Sequence, residues 1–499
     1  MIVALVASGA LPAIAVETPL PVRYALTAAP VNTAGVSPAV HVAIALPSDA
    51  TRERADLIMP RAIPMGYSQV PYDAFVSGVV ARTRSGAAVN VARGDGPRWS
   101  IGAMPAATTG PAADPIASIE YDVDLLGMEA AILSGGDSSH SRDGYLAMLG
   151  YSVFAYVEGF EDRPIELSAS APSNRASWPV FSTLAPKVPA SIAGITASAP
   201  DFYGLADSQI LMGPGFRLTK LKGAPELFMA VHAEGEVDTA AVTPLAEQAY
   251  AALIAYFGSA PFPHYTLVFD YLKPLSSRHT YGFSMEHMQS ATFGALASAA
   301  PTARATDRER AAWRYNVAHH IAHAWIPKRC AGEGYFPFRW ELAPLIDTIW
   351  LSEGFGQYAA ADALSDVLPL SADGRPYVET LVATRFRNPL REMPDFVTRM
   401  PLVDLSRIAS LLYSEDFRTG RTVFARGGLM AEEMDRRIRE QSGGAKRLRD
   451  ALRGLVAWSA RERRAFRIDE LPTRFEESTG VDTRDVMERW LRGMDRNRQ

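Results

Sequence analysis

The densest run of metal-capable side chains in the sequence is His319-His320-Ile321-Ala322-His323. Residues four apart share one helical face, so His319 and His323 can present two imidazoles to a single metal ion. Further on, Trp350-Leu351-Ser352-Glu353-Gly354-Phe355 offers Glu353 from another helical pattern. Glu353 would complete a His₂Glu set and leave a fourth position for water, the layout of a catalytic zinc site. Histidine pairs at i and i+4 are common on helices that bind nothing. Here three of the nine histidines fall within five residues, on a largely apolar stretch followed by a carboxylate helix. That combination favours one zinc ion, although the same nitrogen and oxygen donors suit cobalt or manganese. Cys330 is the single cysteine, so no intrachain disulfide framework or Cys-rich cluster can form, and any metal site must rest on His and carboxylates.

The elements that must position these residues change character near residue 200. From Val22 to about Ser198, short alternating runs such as His41–Leu46, Ala88–Val91 and Ile116–Val123 are broken by Pro, Gly, Asp and Ser, the pattern of an antiparallel, sandwich-like domain. Beyond Asp201 the periods lengthen. A helix is expected over Thr243–Phe257, a strand over Tyr265–Tyr271, a second helix over Arg308–Ile326 and a third over Leu345–Val367. From about Glu415 the chain is rich in Arg, Glu, Ala and Leu and reads as a helical bundle. At 499 residues it exceeds what one core supports, so two or three domains are expected.

Composition narrows the function classes. Apolar residues at 48% and charged residues at 21% exclude a disordered chain. A net charge of −5 without a basic stripe argues against nucleic acid as a partner. Residues Ile2–Ala15 are apolar apart from Ser8 and Gly9 and end in Ala13-Ile14-Ala15, which reads as a secretory signal over residues 1–15 that lacks its basic start. The protein is then expected in the periplasm or outside the cell, and in the cytoplasm if this segment is instead a buried strand. No later stretch approaches eighteen uninterrupted apolar residues, so no stable membrane insertion is expected.

These residues resemble those of a known family. The histidine helix resembles the H-E-x-x-H signature of zinc peptidases, and Trp350–Phe355 resembles the zinc-glutamate helix of gluzincin aminopeptidases. The bacterial glycyl aminopeptidase family is the most similar. Asp201–Ser208 resembles its "D-x-x-x-L-x-D-S" element, Tyr281–His287 its "G-G-x-E-H" strand with Phe283 and Ser284 at the glycine positions, and His323–Arg329 its "H-x-W-x-x-K-R" run. Met59–Tyr67 loosely resembles a "P-x-W-x-P-G-x-Y" element. The resemblance runs from Val22 to Gly493, and the C-terminal PDZ domain common in that family is not expected within it.

It implies an α+β multidomain protein: an N-terminal antiparallel β domain (18–200), a thermolysin-like catalytic domain (201–410) and a C-terminal helical region (411–499). It also implies hydrolysis of N-terminal residues from peptides, with peptides or protein N-termini as partners. Glu286 would receive the substrate's terminal ammonium; read without the family, it is a solvated strand carboxylate. His287 is expected to pack or support rather than ligate, and Lys328 and Arg329 to be a charge pair at a helix C-terminus.

Two positions depart from the family. His320 stands where the general-base Glu belongs, and Phe424 stands where a Tyr hydroxyl would stabilise the oxyanion. A positioned base contributes about 10²–10⁴ in rate and one oxyanion donor about 10²–10³. The expectation is a weakened or inactive enzyme, the alternative being a non-catalytic peptide- or protein-binding pseudopeptidase. His320 either points aside, adds a ligand, or substitutes as base, and Tyr413, eleven residues before Phe424, is a candidate to supply the lost phenol from another direction.

Overall fold

The computed structural model describes residues 19–492 except 68, 103–113, 135–136, 193, 337 and 414–415. The expected signal at 1–15 lies outside the described residues. Alternating side chains build the first sheets as their periodicity requires. In Val22–Ala28, residues Val22, Tyr24, Leu26 and Ala28 face inward, and in Ala39–Ala45 the inward set is Val40, Val42 and Ile44. Seven strands form one sheet, in the order 194–199, 165–170, 22–28, 39–45, 116–124, 76–83 and 88–89. Its pairing is antiparallel except between Val22–Ala28 and Ile165–Ser170, which run parallel. Four- and five-stranded sheets complete this part, and the strand Gln209–Met212 still belongs to it, pairing with Tyr145–Leu149 and Pro179–Ser182.

The next sheet carries the site. Its order is Phe216–Leu221, Glu226–Ala233, His264–Tyr271, Ser290–Ala295 and Gly282–Glu286. The three middle strands are parallel, and Gly282–Glu286 is an antiparallel edge strand. Helix Thr239–Phe257 connects two of the parallel strands and buries Val242, Ala249, Leu253 and Tyr256 in the largest core.

Two helices differ from their expected spans. The histidine helix covers Asp307–Ala322, opened by a capping box between Thr306 and Glu309. It stops four residues before Ile326, with His323 as its C-cap, because Pro327 disfavours helical geometry in the residue before it. The glutamate helix starts near Trp350 rather than Leu345, and Trp350–Phe355 is a π-helical turn continued by Gly356–Ser365. Apolar periodicity extends upstream, yet the backbone amides of Ile346 and Trp350 go to the hydroxyls of Ser410 and Ser406 on helix Leu402–Leu412. Those amides are satisfied from a neighbouring element.

Helix Phe417–Gln441 lies directly against the glutamate helix. A Cβ on Gly427 would stand 2.2 Å from the Trp350 carbonyl oxygen, and one on Gly354 would stand 2.5 Å from Gly427 Cα. Only glycines permit this backbone-to-backbone approach, which brings Glu353 and Phe424 to the same cleft. Helices Leu448–Glu462, Leu471–Thr479 and Arg484–Arg492 complete the C-terminal region. Among the described residues, no helix is long and apolar enough to cross a membrane.

Candidate active site

His319 is on the last turn of the histidine helix, His323 caps it, and Glu353 projects from the π-helical turn. All three are buried. Their donor atoms converge: His319 Nε2 to His323 Nε2 is 3.3 Å, His319 Nε2 to Glu353 Oε2 is 3.4 Å, and His323 Nε2 to Glu353 Oε2 is 3.7 Å. Tetrahedral ligands about 2.0–2.1 Å from a zinc ion sit roughly 3.3 Å from one another, so this donor set fits the ion. His323 Nδ1 is 3.0 Å from the Ile326 carbonyl oxygen. Donating there leaves the Nε2 lone pair facing the cluster. π-Helical turns concentrate at functional sites because the extra residue redirects one side chain.

Buried charges of both signs meet at this cluster. Glu286 and Glu353 are both buried, and an oxygen of each lies close to a nitrogen of His323. Burial opposes a charge on His323, but the two carboxylates outweigh it and raise the group to about 9. Burial, reinforced by His323, lowers His319 to about 4. Burial also opposes ionisation of Glu286, yet His323 and His320 hold it below the usual carboxylate range, and His323 and His319 do the same for Glu353. Two carboxylates thus share one imidazolium, a charge balance that a divalent ion bound by neutral imidazoles would also supply.

His320 does not point aside. It lines the cleft, with Nδ1 3.5 Å from Glu286 Oε2 and its ring edge-on to Phe293. Glu286 ends the edge strand and lines the same cleft, a cavity of about 590 Å³. Phe424 and Tyr413 face it from the C-terminal helices, their ring centroids 5.9 Å apart.

Lys328 corrects an expectation. It is not part of a charge pair at the helix C-terminus, since the helix stops at Ala322 and Lys328 is buried in other contacts. Its Nζ donates to Asp207 Oδ1 at 3.0 Å and to the Pro64 carbonyl oxygen at 2.6 Å, and His287 Nδ1 lies 3.2 Å from the same Asp207 oxygen. One buried network therefore ties together Asp207, the residue after Glu286, the segment after the histidine helix and the N-terminal sheets. Arg329 is part-buried and donates to the carbonyls of Met288 and Ala324.

Sequence reasoning assigned no role to three cleft residues. Tyr67 donates to Glu353 Oε1 at 3.0 Å, from a loop in which Met65 adopts φ 56°. Asp137 is buried with one carboxylate oxygen unpartnered among the described residues, and burial pushes it up to about 7. Arg385 is the third. The only available signal was Tyr67 at the end of the loosely matched N-terminal element.

Comparison with known proteins agrees with this architecture. Residues 33–214 match the Peptidase M61 N-terminal domain. No curated protein matches the sequence. Among solved structures, an aminopeptidase N family protein from Idiomarina loihiensis superposes with a TM-score of 0.79 at 18% identity, over 95% of this chain and 76% of that one. An M1 zinc metallopeptidase from Deinococcus radiodurans gives 0.53 at 15% identity, over 96% and 94% of the two chains. A variant of that enzyme bound to a Tyr-Ser-Ala substrate gives 0.54 at 15% identity, again over 96% and 94%. Residues 33–214 thus resemble the M61 N-terminal domain, and the chain as a whole shares the fold of these aminopeptidase N family and M1 zinc metallopeptidase structures.

Proposed function

We propose that the cleft binds one zinc ion through His319, His323 and Glu353 and receives the free N-terminus of a peptide. The observation that carries this is the convergence of three buried donor atoms to 3.3–3.7 Å beside an open cavity. When bound, zinc would act as a Lewis acid toward the scissile carbonyl and the attacking water.

Glu286 anchors the substrate's terminal ammonium, a charge that only a chain end carries, so cleavage would be confined to N-terminal residues. The tripeptide bound by the Deinococcus variant supports a peptide as occupant. Tyr67 fixes the orientation of Glu353 through its hydrogen bond to Oε1. His320 stands at the position of the base that would take a proton from water and hand it to the leaving amine. Its Nδ1 is turned toward Glu286, so it serves that transfer poorly. Phe424 brings no hydroxyl to the developing oxyanion. The reading is therefore a slow aminopeptidase of the glycyl aminopeptidase type. The His320–Glu286 contact and the Phe424 wall also favour a second reading, a cleft that binds peptide N-termini without turnover.

Zinc content by elemental analysis and turnover of fluorogenic aminoacyl substrates, with and without chelator, test the proposal. Wild-type protein should hold about one zinc and His323→Ala essentially none. Near-stoichiometric zinc in that variant would overturn the ligand assignment. Zinc together with peptide binding and no turnover would select the second reading.

A further inference from the structure

We propose that Arg385 makes the cleft selective for peptides carrying a carboxylate beyond the scissile bond; this rests on the reading of the cleft as a peptide site. Three observations meet at this residue. Arg385 is the cationic Lys or Arg side chain on a cleft wall otherwise charged by Glu286, Glu353 and Asp137. It sits in a second π-helical turn, Val382–Arg387. One such turn delivers Glu353 to this cleft and the other delivers Arg385. Its guanidinium is exposed, stands over the Tyr315 ring at 5.3 Å and has no ion-pair partner among the described residues.

Direction follows from the histidine helix. Tyr315 lies one turn before His319, so Arg385 sits upstream of the ligand set, whereas Glu286 contacts His320 and approaches His323. A peptide with its ammonium at Glu286 and its first bond at the ligand set extends toward Arg385. There the guanidinium can grip a carboxylate with two parallel hydrogen bonds. Arg385 also borders a neighbouring cavity of about 900 Å³ lined by Arg308, Arg310, Arg314 and Arg375. Only Arg375 of these four has an ion-pair partner among the described residues, Asp373. Asp307 is the other acid on that wall. Arg314 is 7% exposed, and its Nε has no partner among the described residues. The positive potential thus rises past Arg385, away from the ammonium site.

The carboxylate has two sources, the C-terminus of a short peptide or an Asp or Glu side chain. Calorimetric dissociation constants on zinc-loaded full-length protein separate them. One pair compares Ala-Ala-Ala as free acid and as amide; the other compares Ala-Ala-Glu-Ala-amide with Ala-Ala-Gln-Ala-amide. The acid member of at least one pair should bind about fivefold tighter, the upper end for an ion pair open to solvent. Arg385→Gln should abolish that preference without changing zinc content, and Arg385→Lys should keep part of it. Preference in the first pair assigns Arg385 to chain ends; preference in the second assigns it to acidic side chains. Equal binding within both pairs, or a preference that survives Arg385→Gln, overturns this proposal alone. Failure of all four peptides to bind overturns the peptide reading of the cleft and this proposal with it.

Discussion

Replacing Tyr67 by Phe removes one oxygen and tests how Glu353 is held. The carboxylate is divided: Oε2 faces His319 and His323 at 3.4 and 3.7 Å, while Oε1 accepts from Tyr67 at 3.0 Å. The ring itself packs on Tyr413, centroids 5.3 Å apart, a contact that Phe retains. A hydrogen bond to a charged partner contributes about 1.5–3 kcal/mol. At roughly 1.4 kcal/mol per decade, that is about 10–100-fold in zinc affinity, the usual cost of removing a partner that orients a ligand. Competition with a chromophoric chelator should therefore show zinc bound about 10–100-fold more weakly by Tyr67→Phe, with circular dichroism unchanged. A zinc affinity within twofold of wild type in the folded variant would refute the reasoning, because the orientation of Glu353 would then come from elsewhere.

Other perturbations have equally direct readouts. His320→Glu should raise aminopeptidase turnover on the order of 10²-fold, and adding Phe424→Tyr should raise it further. A wild-type protein that cleaves peptides efficiently and loses that activity in His320→Glu would show that His320 is a working base. Gly427→Ala forces a methyl against the Trp350 carbonyl 2.2 Å away; it should cost about 3 kcal/mol in urea unfolding, and an unchanged midpoint would contradict the backbone contact. Asp207 is buried, which raises its carboxyl, but Lys328 and His287 outweigh burial and hold it below its ordinary value. Its contribution to stability is thus present above about pH 3.9 and lost as pH falls through the depressed folded value. Asp207→Asn should cost roughly 3–5 kcal/mol at pH 7 and flatten the loss of stability on acidification; an unaltered pH profile would count against the network.

Local periodicity carried the parts of the molecule whose physics is local. His319 and His323 were legible because a helix alone sets the i, i+4 relation, and Glu353 because its own helix is recognisable. Alternation over His41–Leu46 pointed to a strand, and the structure has one at Ala39–Ala45, whose Val40, Val42 and Ile44 are buried. Helix ends were less legible. Ser406 and Ser410, satisfying amides far upstream, and Pro327, acting on the residue before it, decide them.

The pattern of residue types by itself determined a histidine pair, a carboxylate helix and a β-then-helical order, since each depends on neighbours a few residues apart. Only the tertiary structure decided what surrounds them. Tyr67 reaches Glu353 across 286 positions, and Lys328 reaches Asp207 across 121. His320 meets Glu286 because an edge strand runs beside its helix. Arg385 reaches the cleft from a π-helical turn that apolar spacing does not announce. Such contacts form where separately folded elements are packed together, and packing depends on the shape of whole surfaces rather than on the spacing of residues along one segment.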